Sequence, residues 1–196
     1  MKVNGHDATV LTYEQYMLKW HEKNALSMKG LDKVGRRMRH YSRYNYDRQQ
    51  GVELAYRMSE DFRDAVKSLK GPQTWYFITD DWCIDSAYSL PLLKEAAALH
   101  GDITIHILMR DDNLDIMDDY LTDGRRSIPI FVGFDSSSNE LFKWGPHPDK
   151  LEKLRTSLQE AGEPGRVVSG STIDWYAADG YLEVERELAS LFAGLK

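Results

Sequence analysis

Cys83 is the only cysteine in this chain of 196 residues, so any covalent chemistry it performs is done without a second thiol of its own. It lies in "DDWCIDSAYSLP", residues 80–91, between the apolar run "TWYFIT" and a stretch rich in Ala and Leu. Strand, turn, cysteine and helix is the local reading. A cysteine at a helix start meets unpaired backbone N–H groups and the positive end of the helix dipole, so its thiol pKa can fall below the free value of about 8.5. Ser86 can donate its hydroxyl to the sulfur but cannot resolve a mixed disulfide. Asp85 acts in the opposite sense, because a carboxylate near the sulfur raises the thiol pKa by like-charge repulsion. Cys83 has a plain alternative as a small buried hydrophobe, and Ser86 as a polar residue of the first helical turn.

Other constellations are weaker. The Asp pairs beginning at 80, 111 and 118 sit on neighbouring positions, which point apart on a strand or helix and build no ligand cage. Spaced Cys and His ligands and a glycine-rich phosphate loop are both missing, so no cofactor or metal is expected. Arg110 and Asp111 follow a strand at the edge where open sheets gather ligands, or else form an ordinary ion pair and helix cap. His106, within that strand, reads as a core histidine.

Residues 29–50 carry Lys29, Lys33, Arg36, Arg37, Arg39, Arg43 and Arg48 interleaved with Tyr41, Tyr44 and Tyr46. Cations and stackable rings together suit single-stranded nucleic acid. The other reading is a solvated extension whose stems and rings pack over the domain. No nucleic-acid-binding motif accompanies the stretch, and a net charge of -6 opposes general attraction to polyanions, so nucleic acid is not the expected partner.

The elements that must position Cys83 follow from periodicity. A helix is expected over 12–28, capped by Thr12, and a second over about 51–70, ending at Gly71 and Pro72. Strands are expected at "QTWYFITD", "ITIHILMR", "GRRSIPIFVGFD" and "ELFKWG", the last two joined as a hairpin through "SSSN". Helices are expected from Cys83 to about His100, at "NLDIMDDYLT", at "HPDKLEKLRTSLQEAG" and over about 178–194, with "EPGRVVSGST" as a separator. Three parts result: a helical N-terminal extension (1–70) packing on the core, a core (73–161), and a C-terminal extension with its helix (162–196). No apolar run approaches the roughly 20 residues of a membrane span, and no secretory h-region is visible, which suggests a cytoplasmic protein.

The order β, α, β, α, β, β, α over 73–161 implies parallel pairing with right-handed crossovers and an added antiparallel edge, a three-layer α/β/α arrangement around a mixed sheet. On these residues the chain resembles the thioredoxin-like family. "WCIDS" stands where thioredoxins have Trp-Cys-Gly-Pro-Cys, Pro91 where they have a helix-kinking proline, and "SIP" where they have their cis-proline loop. More narrowly, "WCIDSAYSLPLL", "LMRDDNLDIMDDYLTDGRRSIP" and "WGPHP" resemble a poorly characterised bacterial branch with a single-cysteine Trp-Cys-x-Asp motif. The resemblance puts Ser86 at the resolving-cysteine position, a CxxS arrangement, and Phe77 where many thioredoxins carry a buried acid. It also implies that Pro129 is cis, that Ile128 offers its backbone to an extended substrate, that Trp82 and Trp144 form walls, and that Arg126 lies close enough to offset Asp85.

Two functions are compatible with these residues. In the first, Cys83 is the nucleophile of a monothiol oxidoreductase that forms mixed disulfides with a disulfide-containing protein or a low-molecular-weight thiol, and an external thiol completes the cycle. In the second, the fold is a redox-inactive binding module whose groove between Trp82, Pro129 and Trp144 holds a peptide or small molecule. The sequence does not fix the oligomeric state.

Overall fold

In the computed structural model, which describes residues 2–195, the chain starts with a short antiparallel hairpin, Lys2–Val3 (β1) and His6–Asp7 (β2). Tyr13–Ala25 (α1) follows, with Thr12 and Gln15 closing a reciprocal capping box. Lys33–Ala55 (α2) starts at Asp32, whose carboxylate accepts the Gly35 N–H at 2.7 Å. The basic stretch is therefore a long helix. It shows no apolar stripe because its buried face is polar: Ser42, Asn45 and Gln49 turn inward with Val52. Ser42 receives the Trp20 indole N–H at 2.9 Å, and Gln49 donates to the Tyr13 hydroxyl at 3.0 Å. Arg39 and Arg43 donate to the carbonyls of Lys23, Asn24 and Leu26 at the end of α1, where a helix leaves acceptors unpaired. These arginines thus fasten two helices together.

The helix expected over 51–70 is two elements, because α2 ends at Ala55 and Glu60–Lys67 (α3) begins after Ser59. The buried Glu185 carboxylate fills the break, accepting the Tyr56 hydroxyl and, at 3.2 Å, the Ser59 N–H. Gln73–Thr79 (β3) leads through residues 80–83 into Ile84–His100 (α4), and Ile103–Met109 (β4) ends in a 3-10 turn before Leu114–Asp118 (α5). Ile130–Asp135 (β5) and Glu140–Trp144 (β6) form the hairpin, and Asp149–Glu160 (α6) closes the core.

The segment read as a separator is a helix, Gly165–Trp175 (α7), in which Gly165 and Gly170 mask the helical pattern. A kink at Tyr176–Gly180, where Asp179 has φ of 62°, precedes Tyr181–Ala193 (α8). None of these helices is long and apolar enough to cross a membrane.

The sheet order is β4-β3-β5-β6, with β3 and β4 parallel and the other pairs antiparallel. Strand alternation divides the apolar side chains between two faces. Trp75, Phe77, Phe131 and Phe142 join one core with residues of α1, α2, α3, α4 and α8, while Tyr76, Ile78, Ile130 and Val132 pack with Val3, Ile116 and Tyr120 on the other. The first half of α4 is buried nearly all round, from Asp85 to Leu93, which holds its N-terminus at a fixed point above the sheet. Leu11 forms a bridge with Ile107 at the outer side of β4, each N–H reaching the other's carbonyl.

Candidate functional site

Cys83 is the N-cap residue of α4, and its own N–H bonds to the Asp80 carbonyl at 3.0 Å. Beside it lies the loop before β5, where Ile128–Pro129 is a cis peptide and the Ile128 carbonyl accepts the Cys83 thiol at 3.4 Å. The cysteine is 5% exposed. Burial first, and then the Asp85 carboxylate, push its thiol up to about 12, against the Ser86 hydroxyl and the Ser86 and Asp85 backbone N–H groups. Ser86 itself accepts the Thr79 hydroxyl at 2.6 Å, an alignment that leaves its own proton for the sulfur. The helix start does favour the thiolate, but desolvation outweighs it.

Asp85 lies below this surface. It is buried, accepts the Tyr176 hydroxyl at 2.9 Å, and its carboxyl is raised by burial against His147, Arg155 and Tyr176. Arg126 does not offset its charge: the guanidinium bonds both oxygens of Asp118, at 2.7 and 2.8 Å. The cations that act on Asp85 come instead from residues the sequence did not single out, His147 after β6 and Arg155 on α6. Tyr176, also unanticipated, reaches Asp85 from the kink before α8.

A cleft of about 330 Å³ opens at the sulfur, bordered by Trp82, Cys83, Asp85, Arg126 and Ile128 among others. Arg110 lies 4.8 Å over the Trp82 ring while paired to Asp111 at 2.7 Å, so it serves as both an ion-pair partner and part of the wall. Trp144 is not a wall. It is buried, and its indole N–H bonds Glu187 at 2.8 Å on α8. Two-residue alternation along β6 accounts for this, since Trp144 must share the inward face with Phe142. Pro146 and His147 take its place, and Tyr41 of α2 and Ser169 of α7 complete the border. A larger cavity of about 470 Å³, between α2, α3 and α4, borders none of these residues. Among the described residues no group of three or more His, Cys, Asp or Glu is placed to hold a metal ion.

Asp80, the residue immediately after β3 ends at Thr79, has a carboxyl pushed up to about 7, by burial first and then by Asp111, with Arg110 and Lys23 opposing. Its Oδ2 is 3.8 Å from Arg110 and is buried without a hydrogen bond. An acid raised on folding binds its proton more tightly in the native state, so stability falls as pH rises from the unfolded value of about 3.9 through the native one. Asp80→Asn is expected to gain stability relative to wild type between about pH 4 and 7 and to hold a constant advantage above. Parallel melting-temperature profiles across that range would show that Asp80 does not cause this pH dependence.

Two solved structures share the architecture. A protein of unknown function, PA1234 from Pseudomonas aeruginosa, aligns over 95% of this chain and 99% of its own at 13% identity and a TM-score of 0.55. An HIV epitope-scaffold aligns over 95% of this chain and 100% of its own at 15% identity and a TM-score of 0.56. At these identities the likeness is one of fold. No curated protein matches the chain. The thioredoxin family model matches residues 32–159, a span that takes in α2, the whole four-stranded sheet, Cys83, cis-Pro129 and nearly all of α6. The chain belongs to the thioredoxin family.

Proposed function

We propose that this protein is a thioredoxin-fold binding module, in which the cleft beside Trp82 and Ile128 holds a peptide or small molecule and Cys83 rests as a neutral thiol. The observation that carries this reading is the state of the sulfur: 5% exposed, donating to the Ile128 carbonyl and pushed up to about 12. A thiol raised in that direction by burial and by the Asp85 carboxylate stays protonated at neutral pH. Greater intrinsic nucleophilicity of a high-pKa thiolate offsets only part of that loss of thiolate, because the Brønsted slope is about 0.4–0.5. A single thiol also offers no internal resolution.

One observation favours the monothiol oxidoreductase as the second reading: Cys83 borders the cleft at the start of α4, and cis-Pro129 lies in the loop beside it. In that cycle the Cys83 thiolate attacks a disulfide of a protein or a low-molecular-weight partner. One S–S bond breaks as another forms, the leaving thiolate departs, and an external thiol later releases Cys83 by the same exchange.

Alkylation by iodoacetamide across pH, followed by intact mass, separates the two. The expected midpoint lies well above about 8.5, with little reaction at neutral pH, and Asp85→Asn lowers it by removing the charge that disfavours the thiolate. A midpoint below about 7, together with a stable mixed disulfide on exposure to oxidised glutathione, would overturn the binding-module reading and establish the second.

A further inference from the structure

The cations around the cleft are not equivalent. Arg110 is paired to Asp111 and lies over Trp82, and Arg126 is held by both oxygens of Asp118. Arg155 has no ion pair among the described residues. Among the described residues its side chain makes one hydrogen bond, from Nη1 to the Thr172 hydroxyl of α7 at 3.0 Å. That bond anchors one end of the guanidinium and leaves most of its five donors unused. The acids that feel its charge have other partners, since Asp85 accepts Tyr176 and Glu152 is bonded to His147.

Position adds to this. Arg155 borders the Cys83 cleft and also an adjoining cleft of about 310 Å³, with Ser127, Pro146 and His147 common to both. The clefts also carry carboxylates, Asp85 in the first and Asp123, Asp149 and Glu152 in the second, but none pairs with Arg155, and a guanidinium left unpaired at the junction has the fork geometry that takes the paired oxygens of a carboxylate or phosphate.

Resting on the reading of the cleft as a binding site, we infer that its occupant is anionic, and that Arg155 receives the carboxylate or phosphate of that occupant with Ser127 and His147 beside it. The remainder of the occupant extends toward Trp82 and Ile128. Arg155 is then the residue that decides the charge class of the ligand, while Cys83 contributes only part of the wall.

The test is calorimetric titration of the full chain at low ionic strength with inorganic phosphate and, separately, with glutarate. Saturable binding in the millimolar range is expected for at least one, and which of them binds identifies phosphate or carboxylate as the source. Arg155→Gln should weaken that binding at least about 10-fold, the loss of a charge-assisted pair. Arg186→Gln, on α8 and paired to Glu183, should leave it unchanged. Should Arg155→Gln unfold, Arg155→Lys retains the charge but not the fork and is expected to bind more weakly than wild type. Absence of saturable binding by either anion, or equal affinity in both Arg155 variants and wild type, overturns the inference. Cys83 reactivity is measured separately, so a reactive thiol would remove the binding-module reading and leave the anion titration to be judged alone.

Discussion

Gly145→Ala is expected to cost at least about 3 kcal/mol of stability and to disturb the cleft at the same time. Gly145 has φ of 115°, a conformation open to glycine and costly for other residues, and a Cβ built there would stand 2.2 Å from the Pro129 carbonyl oxygen and 3.4 Å from Ile130 Cα. Both obstacles are backbone, so no side-chain rotation relieves them. The strand end carrying Gly145 or the loop carrying Pro129 must shift. Because the neighbouring Ile128 carbonyl accepts the Cys83 thiol, a shift of that loop also loosens the cover over the sulfur. Urea unfolding should show the loss directly, with a melting temperature lower by roughly 10 °C for a chain of this size. Iodoacetamide should react faster with the variant at neutral pH. An alanine variant within about 1 kcal/mol of wild type, with unchanged thiol reactivity, would mean that the Pro129 loop is not braced by Gly145.

Phe192→Ala is the second large effect, at about 3–5 kcal/mol. Phe192 is fully buried and stacks on Trp75 at 5.4 Å and on Phe62 at 5.9 Å, with Phe142 inclined at 5.2 Å. One ring near the end of α8 therefore contacts two strands of the sheet and α3, and aromatic pairs of this kind contribute beyond their buried area. Leu54, 79% exposed on α2, supplies the control: Leu54→Ala should change stability by less than about 0.5 kcal/mol. Equal denaturation midpoints for the two variants would show that α8 is an appendage and not part of the core.

Which parts of the molecule could be read from the sequence follows from where the information resides. The four strands and α4 were legible because aromatic and β-branched runs bounded by turn residues can hardly fold otherwise, and the cysteine at the junction of β3 and α4 came with them. Helix α2 was illegible because the groups it buries are Ser42, Asn45 and Gln49, and the hydrogen bonds that tie Ser42 and Gln49 to α1 are not registered by periodicity. The break at residues 56–59 depends on Glu185, distant in sequence. Trp144 is a different case. The resemblance to thioredoxins placed it in the groove, whereas alternation with Phe142 along β6 puts it in the core. Around the sulfur, Trp82, Arg126 and Ile128 do border the cleft, but Arg155, His147, Tyr41 and Ser169 reach it from segments whose nearness only the folded chain reveals.

The bridge between Leu11 and Ile107 has a consequence for solubility. A parallel strand such as β4, with one flank open, offers a row of unpaired amides onto which another chain can add. Leu11 occupies part of that flank with two backbone bonds, 2.8 and 2.9 Å long, and α1 begins immediately beyond it. The opposite flank is β6, where Glu140 and Lys143 are exposed and charge discourages strand addition. Both margins of the sheet are thus guarded by different means, one covered and one charged, and loss of the covering segment would open β4 to strand-mediated self-association.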